Sequence, residues 1–186
     1  MILLTGFGSY GKYKINLSSE VVKDFPHVYL GFKIQKEILP VSWSQCLTNY
    51  KKLITKIHGK PKLVVLLGIH SGNNIHLEKI GWNFNLGDDI EKKFKFGPIK
   101  IFSSIWISTI INVKRLYSQL GDCTGISISF FPGLYLCNYL YYWALYLAKK
   151  EYPIIFIHIP DKGIKSEIIE KLKKVLHKII ELHLNV

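Results

Sequence analysis

Cysteine is scarce in this chain of 186 residues: there are three, Cys46, Cys123 and Cys137, and no two form a C-x-x-C pair. An odd, scattered set argues against a disulfide framework or a cysteine-rich zinc site and fits a reducing, cytoplasmic setting. Arginine is scarcer still, with Arg115 alone, although the formal net charge is +12. Base and phosphate recognition recruit arginine's bidentate fork, so its near-absence argues against a nucleic-acid partner. The densest lysine group, Lys171, Lys173, Lys174 and Lys178, alternates with Ile168, Leu172, Val175, Leu176 and Ile179 at helical spacing. It reads as the solvated side of an amphipathic helix. Long apolar runs are also few. The uncharged stretch 126–148 has the length of a membrane span, but Pro132-Gly133 divides it and Ser127, Ser129 and Asn138 interrupt it. A buried strand, a turn and a buried helix are predicted there, with no membrane partner. The opening Met1-Ile2-Leu3-Leu4 meets Thr5-Gly6 at once, too short a run for a signal-peptide core.

What is present is an apolar fraction of 48%, enough for a substantial core, and a length of about one domain, read as a single unit over 1–186. Short buried strands are predicted at 2–4, 28–32, 34–39, 63–67, 126–130 and 154–159, with an extended stretch over 75–86 and a polar loop over 87–97. Helical patterns run over 18–23 with Ser18 or Ser19 near the N-cap, 44–57, 108–120 closed by Gly121, 136–149 and 165–184. Strands alternating with helices predict an α/β fold: a single-domain three-layer α/β/α sandwich around a mostly parallel twisted sheet. In such sheets sites gather at the carboxyl ends of strands. Gly6-Phe7, Gly68-Ile69, Phe131-Pro132 and His158 all fall there.

Cys137 is the residue most suited to chemistry. It follows the break at Pro132-Gly133, where a helix is predicted to begin. A thiol at a helix N-terminus feels the positive end of the dipole, which favours the nucleophilic thiolate. Glu78 and His158, the latter within the apolar run Ile154 to Pro160, complete the minimal set for a cysteine hydrolase. By contrast, Gly6-Phe7-Gly8-Ser9-Tyr10-Gly11 matches G-x-G-x-x-G but leads into residues 12–17 rather than a helix, and no acidic residue closes the second strand. It is read as a glycine-bearing loop whose Phe7 and Tyr10 form one wall of a small apolar pocket, not a dinucleotide cradle.

Five blocks in order resemble pyroglutamyl peptidase I, also called pyrrolidone-carboxylate peptidase. They are Leu4-Thr5-Gly6-Phe7 with Tyr10-Gly11 and Ile15-Asn16; Ile38-Leu39-Pro40-Val41; Leu67-Gly68 through Leu77-Glu78-Lys79-Ile80 and Asn83; Gly133 with Tyr135-Leu136-Cys137-Asn138 and Tyr141-Tyr142; and Phe156 to Pro160. The resemblance implies a phosphorylase/hydrolase-like fold and a cysteine exopeptidase that removes an N-terminal pyroglutamyl (5-oxoproline) residue from peptides through a thioester. Cys137 would be its nucleophile, His158 its general base and Glu78 the orienter. It implies no cofactor or metal, a homo-oligomer (dimer or tetramer), and a lactam pocket made by Phe7, Tyr10, Val41, Ile69, Tyr135 and Leu136. Ile69 stands where the family commonly has glutamine, and His70-Ser71-Gly72-Asn73-Asn74 lacks the family's arginine. The alternative is a diverged member that hydrolyses or binds another small N-acyl or lactam amide.

Other candidates read as structural. His70 and His76 beside Glu78 suggest a metal site on paper, but no helical ligand pair accompanies them, and they read as pocket-edge or surface histidines. Asp88, Asp89 and Glu91 read as a solvated acidic loop. Trp43, Trp82, Trp106 and Trp143 read as core or subunit contacts, and Cys46 and Cys123 as structural.

Overall fold

A strand covered on both faces has no solvent side to keep polar, so central strands appear as unbroken apolar runs. The computed structural model describes residues 1–11, 13–121 and 124–184. In it β1 (Ile2–Phe7) is buried throughout and is followed by α1 (Leu17–Asp24) and the hairpin β2 (Val28–Tyr29) and β3 (Phe32–Leu39). Next come α2 (Trp43–Lys56), β4 (Leu63–His70), β5 (Ile75–Glu78), β6 (Ile80–Trp82), β7 (Asn85–Asp88) and β8 (Phe94–Gly97). The chain continues through β9 (Trp106–Ser108), α3 (Val113–Ser118), β10 (Ile126–Ser129), α4 (Leu136–Ala148), β11 (Ile154–Pro160) and α5 (Lys165–His183).

Seven strands form the central sheet in the order β10-β5-β11-β4-β1-β3-β2. The pairs β1–β3, β1–β4, β4–β11 and β5–β10 are parallel, whereas β5–β11 and β2–β3 are antiparallel. The sheet is thus mostly parallel, as expected. Alternation along the strands sorts the core into two. One face carries Val65, Leu67, Ile155, Ile157 and Ile159 against α1, α3 and α5; the other carries Val64, Leu66 and Phe156 against α2 and α4. No described helix is long and apolar enough to cross a membrane.

Several boundaries differ from the sequence pattern, each for a local reason. The helix expected over 108–120 shrinks to α3, because β9 pairs with β6 through Ser108 and Asn112 then caps the helix, its Oδ1 accepting from the Arg115 N–H at 3.1 Å. The strand expected over 28–32 is cut by a turn with positive φ at Leu30 (46°) and Gly31 (77°), which makes it a hairpin. Asn16, rather than Ser18 or Ser19, caps α1; its side chain accepts from the Ser18 N–H. Ser18 Oγ instead accepts from the Phe7 N–H at 3.1 Å and ties α1 to the end of β1. A Cβ on Gly6 would lie 2.7 Å from the Ser18 carbonyl oxygen, so this glycine permits helix–strand contact.

The polar loop over 87–97 is in fact the hairpin β7–β8, and Asp89 in it is buried rather than solvated. Its carboxylate accepts from the backbone N–H groups of Trp43 (3.0 Å), Glu91 (2.9 Å) and Lys93 (3.0 Å). Burial pushes its pKa up, but these three donors outweigh it and hold the group below the usual range.

Candidate active site

Cys137, His158 and Glu78 sit on the α2/α4 face of the sheet. Cys137 is the second residue of α4, whose cap Tyr135 makes no side-chain cap hydrogen bond. The first-turn N–H groups therefore have no side-chain cap competing for them. Its neighbour Asn138 is fully buried and bolts the helix start to β6: Nδ2 donates to the carbonyls of Trp82 and Phe84 (both 2.8 Å), and Oδ1 accepts from the Trp82 N–H at 2.7 Å. One turn on, the Tyr141 hydroxyl donates to the Glu78 carbonyl at 2.9 Å and ties α4 to β5. Position in the helix and position on the sheet are fixed together.

The sulfur rests over β4. A Cβ on Gly68 would fall 2.8 Å from Cys137 Sγ and 2.9 Å from Phe156 Cζ, so only glycine leaves room for the thiol. In register with Gly68 lies His158 on β11, and beyond it His76 on β5. His158 Nδ1 is 2.8 Å from Glu78 Oε1, which directs the other ring nitrogen away from the carboxylate. Its ring packs on Phe156, with centroids 4.8 Å apart. Burial disfavours the charged ring, but the Cys137 sulfur's charge and hydrogen bond, followed by the Glu78 hydrogen bond and charge, prevail and raise its pKa to about 9. Glu78 is wholly buried and its Oε2 has no hydrogen-bond partner among the described residues, where the imidazole is the carboxylate's one partner. Such a buried pair is costly to break by removing one member.

Beside the sulfur opens a narrow cavity lined by Phe7, Tyr10, Asn16, Val41, Ile69, Tyr135, Leu136 and Cys137. All six residues expected to bind substrate lie in it. Burial pushes Tyr10 and Tyr135 up to about 12, so both hydroxyls stay neutral. Trp43 supports the wall edge-on to Tyr135 at 5.2 Å, and the Tyr135 hydroxyl donates to the Asp88 carbonyl at 2.6 Å, which joins the β7–β8 hairpin to the pocket. Asn16 lines the cavity with its amide held in place: Oδ1 accepts from the Ser18 N–H and hydroxyl, and Nδ2 donates one hydrogen to the Gly8 carbonyl. The walls are mainly aromatic and aliphatic, so recognition here rests largely on shape.

Sequence reasoning missed three supporting residues. Gly68 and Phe156, under the sulfur and ring, and Asn138, at the helix start, stood only as members of the family-like blocks, with no sign of the packing or anchoring role each has. His70 and His76 stack with centroids 4.0 Å apart, but no group of three or more His, Cys, Asp or Glu among the described residues could hold a metal ion. Cys46 is buried in α2, its thiol pushed up to about 12 by burial, and is inert. Cys123 lies outside the described residues. Trp43 is core, whereas Trp106 is half exposed.

The family model described as pyroglutamyl peptidase matches residues 1–182. The pyrrolidone-carboxylate peptidase of Pyrococcus furiosus is 31% identical over 183 residues, covering 93% of this chain and 86% of that one. That of Lactobacillus helveticus is 33% identical over 167 residues, covering 86% and 82%. Among solved structures, the pyrrolidone carboxyl peptidase of Thermococcus litoralis superposes with a TM-score of 0.88 at 22% identity, over 97% of this chain and 93% of that chain. The enzyme from Thermus thermophilus gives 0.88 at 23%, over 96% and 100%. This chain belongs to the pyroglutamyl peptidase family.

Proposed function

We propose that this member of the pyroglutamyl peptidase family removes N-terminal pyroglutamate from peptides with Cys137 as nucleophile, His158 as proton carrier and Glu78 as the group that orients it. The observation that carries this assignment is the buried Glu78–His158 pair, Oε1 and Nδ1 2.8 Å apart, with His158 in register with Gly68, the glycine over which the Cys137 sulfur lies. His158 takes the thiol proton, and Cys137 Sγ attacks the pyroglutamyl carbonyl carbon. The negative charge that develops on the carbonyl oxygen needs preorganised donors, and the uncapped N–H groups of the first turn of α4, beside Cys137, suit that role. His158 then returns its proton to the leaving amine as the C–N bond breaks, and a thioester remains on Sγ. Water, deprotonated by His158, opens the thioester and restores the thiol. The lactam is neutral, which matches a pocket of aromatic and aliphatic walls with no charged side chain among its lining residues.

Residues 1–186 are read as one hydrolase domain, since a single sheet draws strands from both halves of the chain. A homo-oligomer, dimer or tetramer, is supported by the exposed Phe94, Phe96, Ile101, Phe102 and Trp106. A catalytic thiol suits the cytoplasm, where it stays reduced. Purified protein is expected to release aminocoumarin from its pyroglutamyl amide and to lose that activity with iodoacetamide. Absence of release at any pH from 6 to 9 would contradict the assignment.

A further inference from the structure

The sulfur divides the site into two sides of different chemistry. On one side is the lactam pocket; on the other, past His158, stand two more imidazoles. His70 closes β4 two residues beyond Gly68, and its ring lies 6.0 Å from that of His158. His76 is the cross-strand partner of His158 on β5. The acyl ring occupies the pocket and the leaving amine must reach His158, so the peptide after the scissile bond continues over His70 and His76.

The two rings differ in what they can do. His70 is locked: its Nδ1 accepts from the Gly72 N–H at 3.2 Å, and its Nε2 donates to the Asn74 carbonyl at 2.6 Å. A Cβ on Gly72 would come within 2.6 Å of the ring, so this glycine lets the loop fold over it. His76 makes no hydrogen bond to a described residue and is partly exposed. Of the pair, His76 alone keeps its ring nitrogens free of hydrogen bonds to described residues and open to a ligand.

We propose that His70 and His76 form the leaving-group subsite of this enzyme and that it favours pyroglutamyl peptides with a carboxylate on the residue after the scissile bond. This rests on the peptidase reading above. The ionisable groups facing His76 are His70 from β4, His158 from β11 and Glu78 on its own strand; its neighbour on β10 is the uncharged Ser127. Burial first, and then the charge of His70, lower the proton affinity of His76. The preference for a carboxylate therefore grows as pH falls below the ordinary histidine range.

The test compares kcat/KM for pyroglutamyl-Glu and pyroglutamyl-Gln peptides that are otherwise identical, from pH 5.5 to 8. The Glu/Gln ratio is expected to rise about fivefold toward the acid end, the size of a partly exposed charge contact. His76→Asn should flatten the rise, while His70→Gln should alter it without abolishing it. The wild-type ratio needs no variant to fold. A ratio independent of pH in wild type, or one that His76→Asn leaves rising, overturns the subsite with the peptidase reading intact. Failure to cleave either peptide, or a pyroglutamyl anilide, overturns both.

Discussion

The two faces of the central sheet are built from the same strands yet do different work. On β11, Ile155, Ile157 and Ile159 point to the side covered by α1, α3 and α5, while Phe156 and His158 point to the side covered by α2 and α4. On β5, Ile75 and Leu77 lie on the first side, and Glu78 bonds across the second. The first face stabilises by apolar burial and holds no reactive group among the described residues. The second spends part of its area on a buried carboxylate, an imidazole and a thiol, and encloses them with Tyr141, Asn138 and Phe156. A period of two lets one strand serve both ends, since each neighbour along the chain faces the other way.

That division can be broken from either side. The largest effect is expected from Cys137→Ala, which should lower pyroglutamyl amide turnover about 10⁴-fold or more while circular dichroism stays native. Glu78→Gln keeps the size of the buried side chain but removes its charge, and kcat should fall by about 10² to 10⁴-fold. Thermal stability would also drop in that variant. On the opposite face, Ile157→Ala should cost about 2–5 kcal/mol in denaturant unfolding and leave kcat/KM of the folded fraction unchanged. If that substitution silenced the enzyme while it remained folded, the separation of faces would fail. Gly68→Ala tests the packing on the second face: a Cβ 2.8 Å from the sulfur must displace it, so alkylation by iodoacetamide should slow along with turnover.

A smaller effect concerns pH. The folded pKa of His158, about 9, stands above its unfolded value of roughly 6.5. Its pairing thus contributes stability that is fully present below about 6.5 and is lost as pH rises through about 9. Melting temperature should decline over that window in wild type and decline less in Cys137→Ala, where the main favourable partner of the charged ring is gone. The basic limb of kcat/KM should lie near the same value, since a neutral ring cannot protonate the leaving amine.

Much of this was legible in the chain. Apolar runs ending at Gly68 and at His158 placed strand ends, and Pro132-Gly133 placed the start of the helix that carries Cys137. The reactive trio could be named because few residue types do that chemistry: His158 stood at a strand end and Cys137 at a helix start, while Glu78, inside the extended stretch 75–86, took its role from the family resemblance. Boundaries in 75–112 were not legible, because short edge strands depend on pairing partners far along the chain, as β6 depends on β9. Asp89 looked solvated because nothing local reveals that three backbone N–H groups converge on it. The stacking of His70 on His76 needed the antiparallel register of β5 and β11, which a pattern of alternation does not specify.

The most direct measurement is the intact mass of protein quenched in acid during turnover of a pyroglutamyl ester. A single pyroglutamyl adduct that maps to Cys137, and is missing in Cys137→Ala, is the predicted result. Turnover with no adduct on that residue, or an adduct on another side chain, would contradict the account.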